Sequence, residues 1–453
     1  MNKLFFFLFF ALALFSCDNQ RNPNLSKKKL LALLNETTQK SEEISANTFP
    51  DTSYVPPAGA KYTEIRSIDP ATPPVIIDIA GNLKNKKIFK LSDVASSVRN
   101  IRLQSPPDTK ITSIRNVVSD DEHIFINAQE GLFCYSAEGQ YLYTVVENQF
   151  EKSAHGIFLG GGNTNFFSNI DLFHGKLAAQ IMDKGFTLSF FDAKEMDAQM
   201  FLNDQSNELK TIGIKPQYQR LLGRNGTMGQ DQYLFLDEQS IFNTNLSIIS
   251  INGDTICKFK NYEQLAVNGI LKGMGVGSRV PTNIYRIHGQ MMLQIDYNDT
   301  VFRVTPPNRL TPAYVMNWGV YKSEINERFN RNNKMEGKFA LRKWVETSQF
   351  IFIHFIEGRE PEIVKDYWAI YNKTTKTLTC YATSDKHALL ENNIEPVGMP
   401  FWPEGVNHKN EMYMVFYKKR IKNIIEKGTN INVKLQDIYE NMPDDAVFMM
   451  VVK

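Results

Sequence analysis

The sequence predicts an all-β fold: a six-bladed β-propeller preceded by a lipoprotein signal peptide and a short, partly helical tether. Three observations carry that expectation. An apolar strand, a turn, a second strand, a turn with Gly, Asn or Asp and a third strand recur six times after Pro74. The strands read as near-continuous apolar runs, as expected where both faces of a sheet are packed and the alternation of apolar and polar residues is blurred. Aromatic residues make up 12% of the chain, and with frequent Val, Ile and Thr they favour strands.

In chain order, the first element is MNKLFFFLFFALALFSC, residues 1–17. Lys3 supplies a positive start, Leu4 to Phe15 are apolar, and Leu14-Phe15-Ser16-Cys17 has the form of a bacterial lipobox, cut before a cysteine that becomes acylated. The apolar run is shorter than the ~20 residues needed to span a bilayer. A cleaved signal (1–16) and a lipid on Cys17 are therefore expected in place of an anchor helix. From 17 to 74 the chain is polar and rich in Asn, Ser, Thr and Pro, which suits a tether. Within it, LSKKKLLALLNETT (25–38) has helical spacing, with Ser26 as a cap and Leu30, Leu31 and Leu34 on one face.

The propeller is expected over 75–453. Its clearest unit is HIFINAQEGLFCYSAEGQYLYTVV (123–146), punctuated by Glu130-Gly131 and Glu138-Gly139, where glycine permits the positive φ of tight hairpins. Further copies run over 171–192, 232–260, 283–304 and 350–382, and a partial sixth joins 411–417 to 446–452. Six units leave about 63 residues each, room for four strands with long connections. Five or seven blades, at about 76 or 54 residues each, stay open on spacing alone. An open β-solenoid would show shorter, more regular periods.

Lys and Arg total 51 against 49 Asp and Glu, so no global field recruits nucleic acid, and the membrane is expected as a partner only through acylated Cys17. Beyond Cys17 the chain has Cys134, Cys257 and Cys380, each inside an apolar, strand-like run. An odd number argues against a disulfide framework, and burial as small hydrophobes is expected.

Residues 75–114, VIIDIAGNLKNKKIFKLSDVASSVRNIRLQSPPDTKITSI, are similar to the blade-opening segment of the uncharacterised six-bladed β-propeller lipoproteins of Bacteroidota. Leu91-Ser92-Asp93 and Ile101-Arg102-Leu103 fill the places where that family has a Leu-Ser-Asp and a Leu-containing strand. Tyr297-Asn298-Asp299-Thr300-Val301, Pro312-Ala313-Tyr314, the Asn372-Lys373-Thr374 turn and an apolar strand after Asp444-Asp445 follow in the same order. The family's Gly-rich loop after the first blade is replaced here by ENQFEKSAHGIFLGGGN (147–163). The resemblance implies a secreted, lipid-anchored propeller with no assigned reaction, and it transfers no catalytic residue.

Motifs for chemistry are sparse. Gly160-Gly161-Gly162 lacks the Lys-Ser or Lys-Thr of a phosphate loop, the seven histidines show no metal-binding spacing, and no GxSxG elbow occurs. Asp296-Tyr297-Asn298-Asp299 lacks the Gly and distal Glu of a calcium loop and is expected as a hairpin turn. The candidate ligand loop is GMPFWPEGVNHKN (398–410): Phe401 and Trp402, fixed between Pro400 and Pro403, would make an aromatic platform for sugar faces, with Glu404 and His408 bonding hydroxyls. Packing of both rings into the junction of blades 5 and 6 is the competing expectation. On the same propeller face, 218–230 and 272–282 would bring Arg220, Arg224 and Arg279 to the channel mouth.

Two functions from different classes follow. The leading expectation is a non-enzymatic binding or scaffold protein, without a cofactor, for a glycan, a peptide or an envelope protein. Its alternative is a calcium-dependent hydrolase or lactonase of the six-bladed type, with a central ion held by Glu, Asn and Asp from several blades. Asp18-Asn19-Gln20-Arg21-Asn22 after Cys17 carries one acid, so an outer-membrane position facing the periplasm is expected over the cell surface.

Overall fold

The computed structural model describes residues 63–453 apart from 108, 148–166, 174, 183–185, 198–217, 222–225, 229–232, 238–243, 251–254, 261–281, 296–297, 325–326, 328–332, 359–363, 382–388, 396–398 and 428–432. Four short strands come first: β1 (Ile65–Arg66), β2 (Val75–Asp78), β3 (Lys86–Lys87) and β4 (Val98–Leu103), with helix α1 (Ile79–Asn82) between β2 and β3. Sheet 1 follows as β5 (Ile114–Ser119), β6 (His123–Ala128), β7 (Gly131–Ser136) and β8 (Tyr141–Glu147). Sheet 2 is β9 (Phe167–Phe173), β10 (Lys176–Met182), β11 (Phe186–Asp192) and β12 (Tyr218–Leu221). Sheet 3 is β13 (Gly226–Met228), β14 (Tyr233–Asp237), β15 (Thr244–Ser250) and β16 (Thr255–Lys260). Sheet 4 is built on β17 (Thr282–Ile287), β18 (Gln290–Ile295), β19 (Thr300–Thr305) and β20 (Arg309–Asn317). Sheet 5 is built on β21 (Phe339–Glu346), β22 (Phe350–Glu357), β23 (Lys365–Asn372) and β24 (Thr377–Tyr381). Sheet 6 contains β25 (Gly405–Val406), β26 (Met412–Tyr417) and β27 (Val447–Val452), with helices α2 (Lys418–Lys427) and α3 (Val433–Asn441) between the last two strands.

From β5 onward the strands of each sheet follow chain order as an antiparallel meander. Strand β5 lies beside β9, β9 beside β13 and β21 beside β25, so the first strands face a common axis and the last face outward. Apolar clusters fill the gaps between neighbouring sheets. Phe125 and Tyr143 of sheet 1 meet Leu177 and Phe191 of sheet 2. Ile248 and Phe259 of sheet 3 meet Leu293 and Phe302 of sheet 4, while Met292 and Val301 meet Ile353 and Phe355 of sheet 5. Phe352 and Ile370 of sheet 5 meet Met414 and Phe416 of sheet 6, and Val415 and Met449 close back on Ile126 and Phe133 of sheet 1. The fold is therefore an all-β, propeller-like arrangement, held together by sheets that bury both faces.

Residues 63–103 act as a strap around the outside. β1 and β2 pair in parallel with β20, β3 pairs in parallel with β24, and β4 pairs antiparallel with β27 as the fourth strand of sheet 6. Alternation turns one side of the strap inward: Ile77, Ile79, Phe89 and Leu91 are buried. Asp78 caps α1 by accepting from the Gly81 amide at 3.1 Å. Leu91-Ser92-Asp93 forms a 3₁₀ turn in which Asp93 accepts from the Lys90 amide at 2.8 Å. Strand β1 lies inside the 17–74 stretch expected as tether.

The expected three-strand units coincide with β6–β8, β9–β11, β14–β16, β17–β19 and β22–β24. Gly139 has φ +89, and a Cβ there would sit 2.3 Å from the Arg102 carbonyl oxygen of the closing strand. Gly131, by contrast, opens β7 without a positive φ. Cys134, Cys257 and Cys380 are free and buried, as expected. Gly160-Gly161-Gly162 and Asp296-Tyr297 lie outside the described residues. Asn298 forms a turn, accepting from the Thr300 amide at 2.8 Å, and Asp299 pairs with Lys322 at 2.8 Å.

Candidate functional site

The strongest cluster of functional side chains lies between sheets 5 and 6. Lys343, His354 and Trp368 are successive cross-strand partners on β21, β22 and β23, so they share one face of sheet 5. A register shift between Leu341 and Lys343 marks a bulge at Arg342, a device that re-aims a strand's side chains. His354 stacks flat on Trp368, with ring centroids 3.8 Å apart and planes within 3°, and its Nε2 lies 2.7 Å from Asp366 Oδ1. Trp402 stands edge-on to Trp368 at 4.8 Å. The Trp368 indole N–H is buried and, among the described residues, has no acceptor.

Electrostatics set the inner end of this row. Glu404, immediately before β25, accepts from the Val415 amide at 2.8 Å and pairs with Arg420 of α2, which also donates to the Val415 carbonyl at 2.8 Å. Lys343 is half-buried and has no hydrogen bond of its own among the described residues. Its ammonium is pushed down to about 8: burial disfavours the charge, Glu404 opposes the shift and Arg420 adds to it.

Several sequence expectations need correction. Phe401 is fully buried and Trp402 is 5% exposed, both inside the cluster that joins sheets 5 and 6. The packing expectation holds and the exposed platform does not, because the Leu390–Phe401 backbone bridge and the Trp402 amide bonding to Met414 Sδ at 3.3 Å turn the segment inward. His408 does not join Glu404. It lies beyond β25 in the turn before β26, 3.1 Å from Asp121 of sheet 1, which also holds Lys409 at 2.7 Å. Arg224, Arg279 and the side chain of Arg220, whose backbone belongs to β12, lie outside the described residues, as does Cys17. Sequence inspection named Trp402 and Glu404 but missed Lys343, which stands next to Arg342 in the strand FALRKWVE and so reads as ordinary strand polarity.

Two other polar clusters are closed on themselves. Glu346 accepts from Tyr285 at 2.6 Å, Tyr314 at 2.7 Å and Lys373 at 2.6 Å, and Trp344 donates to Tyr285 at 2.8 Å. This set ties sheet 4 to sheet 5. In sheet 1, His123 lies 2.8 Å from Asp197 and 3.3 Å from Asp120, and Tyr143 donates to Asp197 at 2.7 Å. Burial opposes the His123 charge, yet bonds to Asp120 and Asp197 outweigh it and raise the group to about 10. Among the described residues no three His, Cys, Asp or Glu side chains converge as a metal site.

Residues 57–427 match the family described as a domain of unknown function, DUF4933, and the chain belongs to that family. No curated protein sequence matches it. Among solved structures it is similar to a Bacteroides fragilis protein described as exported, at 11% identity and a TM-score of 0.52, covering 83% of this chain and 99% of that one. It is also similar to a DUF4221 family member from Bacteroides vulgatus, at 7% identity and a TM-score of 0.42, covering 80% and 97%. The first likeness speaks to fold alone, and the second is too distant to carry an argument. Resemblance to an uncharacterised Bacteroidota family thus holds at the level of family and fold.

Proposed function

We propose that this chain is a lipid-anchored envelope protein whose six sheets are the blades of one closed propeller, and that it binds a ligand without turning it over and without a cofactor. Support for six blades comes from the six sheets and from the closure of sheet 6 by β4. Support for the anchor comes from the lipobox at Leu14 to Cys17, with 17–74 as tether and the outer membrane, periplasmic side, as location. The observation that carries the binding reading is Lys343: a desolvated amine paired across the strand with His354 and acted on by Glu404 and Arg420, on the first strand of sheet 5. Such a site suits a glycan, a peptide or an envelope protein presenting a carboxylate.

The test uses the full chain carrying Cys17→Ser, titrated calorimetrically against uronic-acid oligosaccharides and acidic peptides. Binding is expected to weaken as pH rises through about 8, because the ammonium form of Lys343 is lost there. Lys343→Met should weaken it at least ~10-fold, the loss of one charged hydrogen bond. Turnover of any bound compound by this protein would refute the non-enzymatic reading.

A further inference from the structure

All the large aliphatic side chains that are strongly exposed among the described residues sit on the strap or on the turn packed against it. They are Ile65, Ile68, Ile76, Ile88 and Val320, the last three exposed by 58%, 65% and 80%. Ile76 lies on β2 at the edge of sheet 4, Ile88 follows β3 at the edge of sheet 5, and Val320 lies in the 3₁₀ turn Gly319–Tyr321, against which α1 packs. Between Ile79 and Ser92 the strap carries Lys84, Lys86, Lys87 and Lys90 and no acid, all four exposed. Lysines commonly guard sheet edges against further pairing, which accounts for Lys86 and Lys87. It does not account for aliphatic side chains turned to water beside them, whereas a membrane surface accounts for both. The described residues begin at Thr63, two residues before β1.

We propose that the outer rim of sheets 4 and 5 lies on an anionic lipid bilayer. Ile76, Ile88 and Val320 seat at the boundary of headgroups and acyl chains, and Lys84, Lys86 and Lys90 face lipid phosphates. The contact does not require acylated Cys17, so its test is separate from that of the anchor. The full chain carrying Cys17→Ser is labelled with an environment-sensitive nitrobenzoxadiazole at Val320→Cys or, as a control on sheet 1, at Glu138→Cys; the remaining cysteines are buried. Because the apolar 4–15 stretch partitions by itself, the readout is local to each label. On vesicles of phosphatidylcholine with phosphatidylglycerol the Val320→Cys label should shift to the blue and the Glu138→Cys label should not. Reversing Lys84, Lys86 and Lys90 to Glu should weaken the contact by at least ~100-fold and abolish the shift. Equal shifts at both labels, no shift at Val320→Cys, or a shift unchanged on phosphatidylcholine alone would overturn the proposal. So would a shift that appears without vesicles on concentrating the protein, which would assign the rim to a second copy.

Discussion

Sheets 4, 5 and 6 each take a strand from 63–103 on the outer edge, whereas sheets 1, 2 and 3 end among the described residues in their own β8, β12 and β16. Among the described residues the strap reaches sheet 3 through side chains: Glu64 accepts from the Lys260 amide at 2.9 Å and Arg66 donates to the Lys260 carbonyl at 2.5 Å. Both halves use the same meander and the same apolar packing between sheets. The comparison teaches that inter-sheet burial suffices to build the array, while the strap links one half in series along a single covalent segment.

The largest effect is expected where the strap becomes part of a sheet. Ile101 is buried between sheets 6 and 1, so Ile101→Asp should cost more than ~4 kcal/mol by burying an unpaired charge, read by chemical denaturation. Hydrogen exchange should then accelerate in β27 and β5 before β15. Next comes Phe401→Ala, expected to cost about 4 kcal/mol by opening a cavity at the junction of sheets 5 and 6; loss of ligand binding with unchanged stability would restore the platform expectation.

A smaller effect tests the unstrapped half. The His123 pKa is raised from 6.5 to about 10, so its charged pairing contributes fully below the lower value and fades as pH rises through the upper one. Asp197→Asn should therefore cost about 2 kcal/mol in mildly acidic solution, with the difference from wild type narrowing toward pH 10. The smallest stability effect is expected at Lys343→Met, within about 1 kcal/mol, since a desolvated amine is exchanged for an apolar chain of similar size. A large destabilisation there would recast Lys343 as structural.

Much of the array was legible from residue pattern. Strands such as HIFINA and GLFCYS are long, apolar and bounded by turn residues, and they stand where their units placed them. Of the strap, Ile101-Arg102-Leu103 stands in a strand as the resemblance implied, but β1 and β3 were not legible, because they are two residues long and have no periodicity to detect. Helices α2 and α3 were also missed: Ile421, Ile424 and Ile425 have helical spacing, but the apolar runs on either side drew 411–417 and 446–452 together as neighbouring strands. Those strands do pair, with the helices inserted between them. At the site, two prolines mark Phe401-Trp402 as rigid but say nothing of which way the rings face. The charges that act on Lys343 come from groups more than sixty residues away in sequence, at Glu404 and Arg420.

The pairing of Val98–Leu103 with Val447–Val452 has a consequence for the order of assembly. A ribosome makes the first of these strands long before the second, at about 5–20 residues per second. Until Val447–Val452 is available, Val98–Leu103 has no partner and sheet 6 lacks its closing pair. Final closure is the most non-local step in the chain and the one expected to set the folding rate, so truncation at the C-terminus should release a product that aggregates before it is degraded.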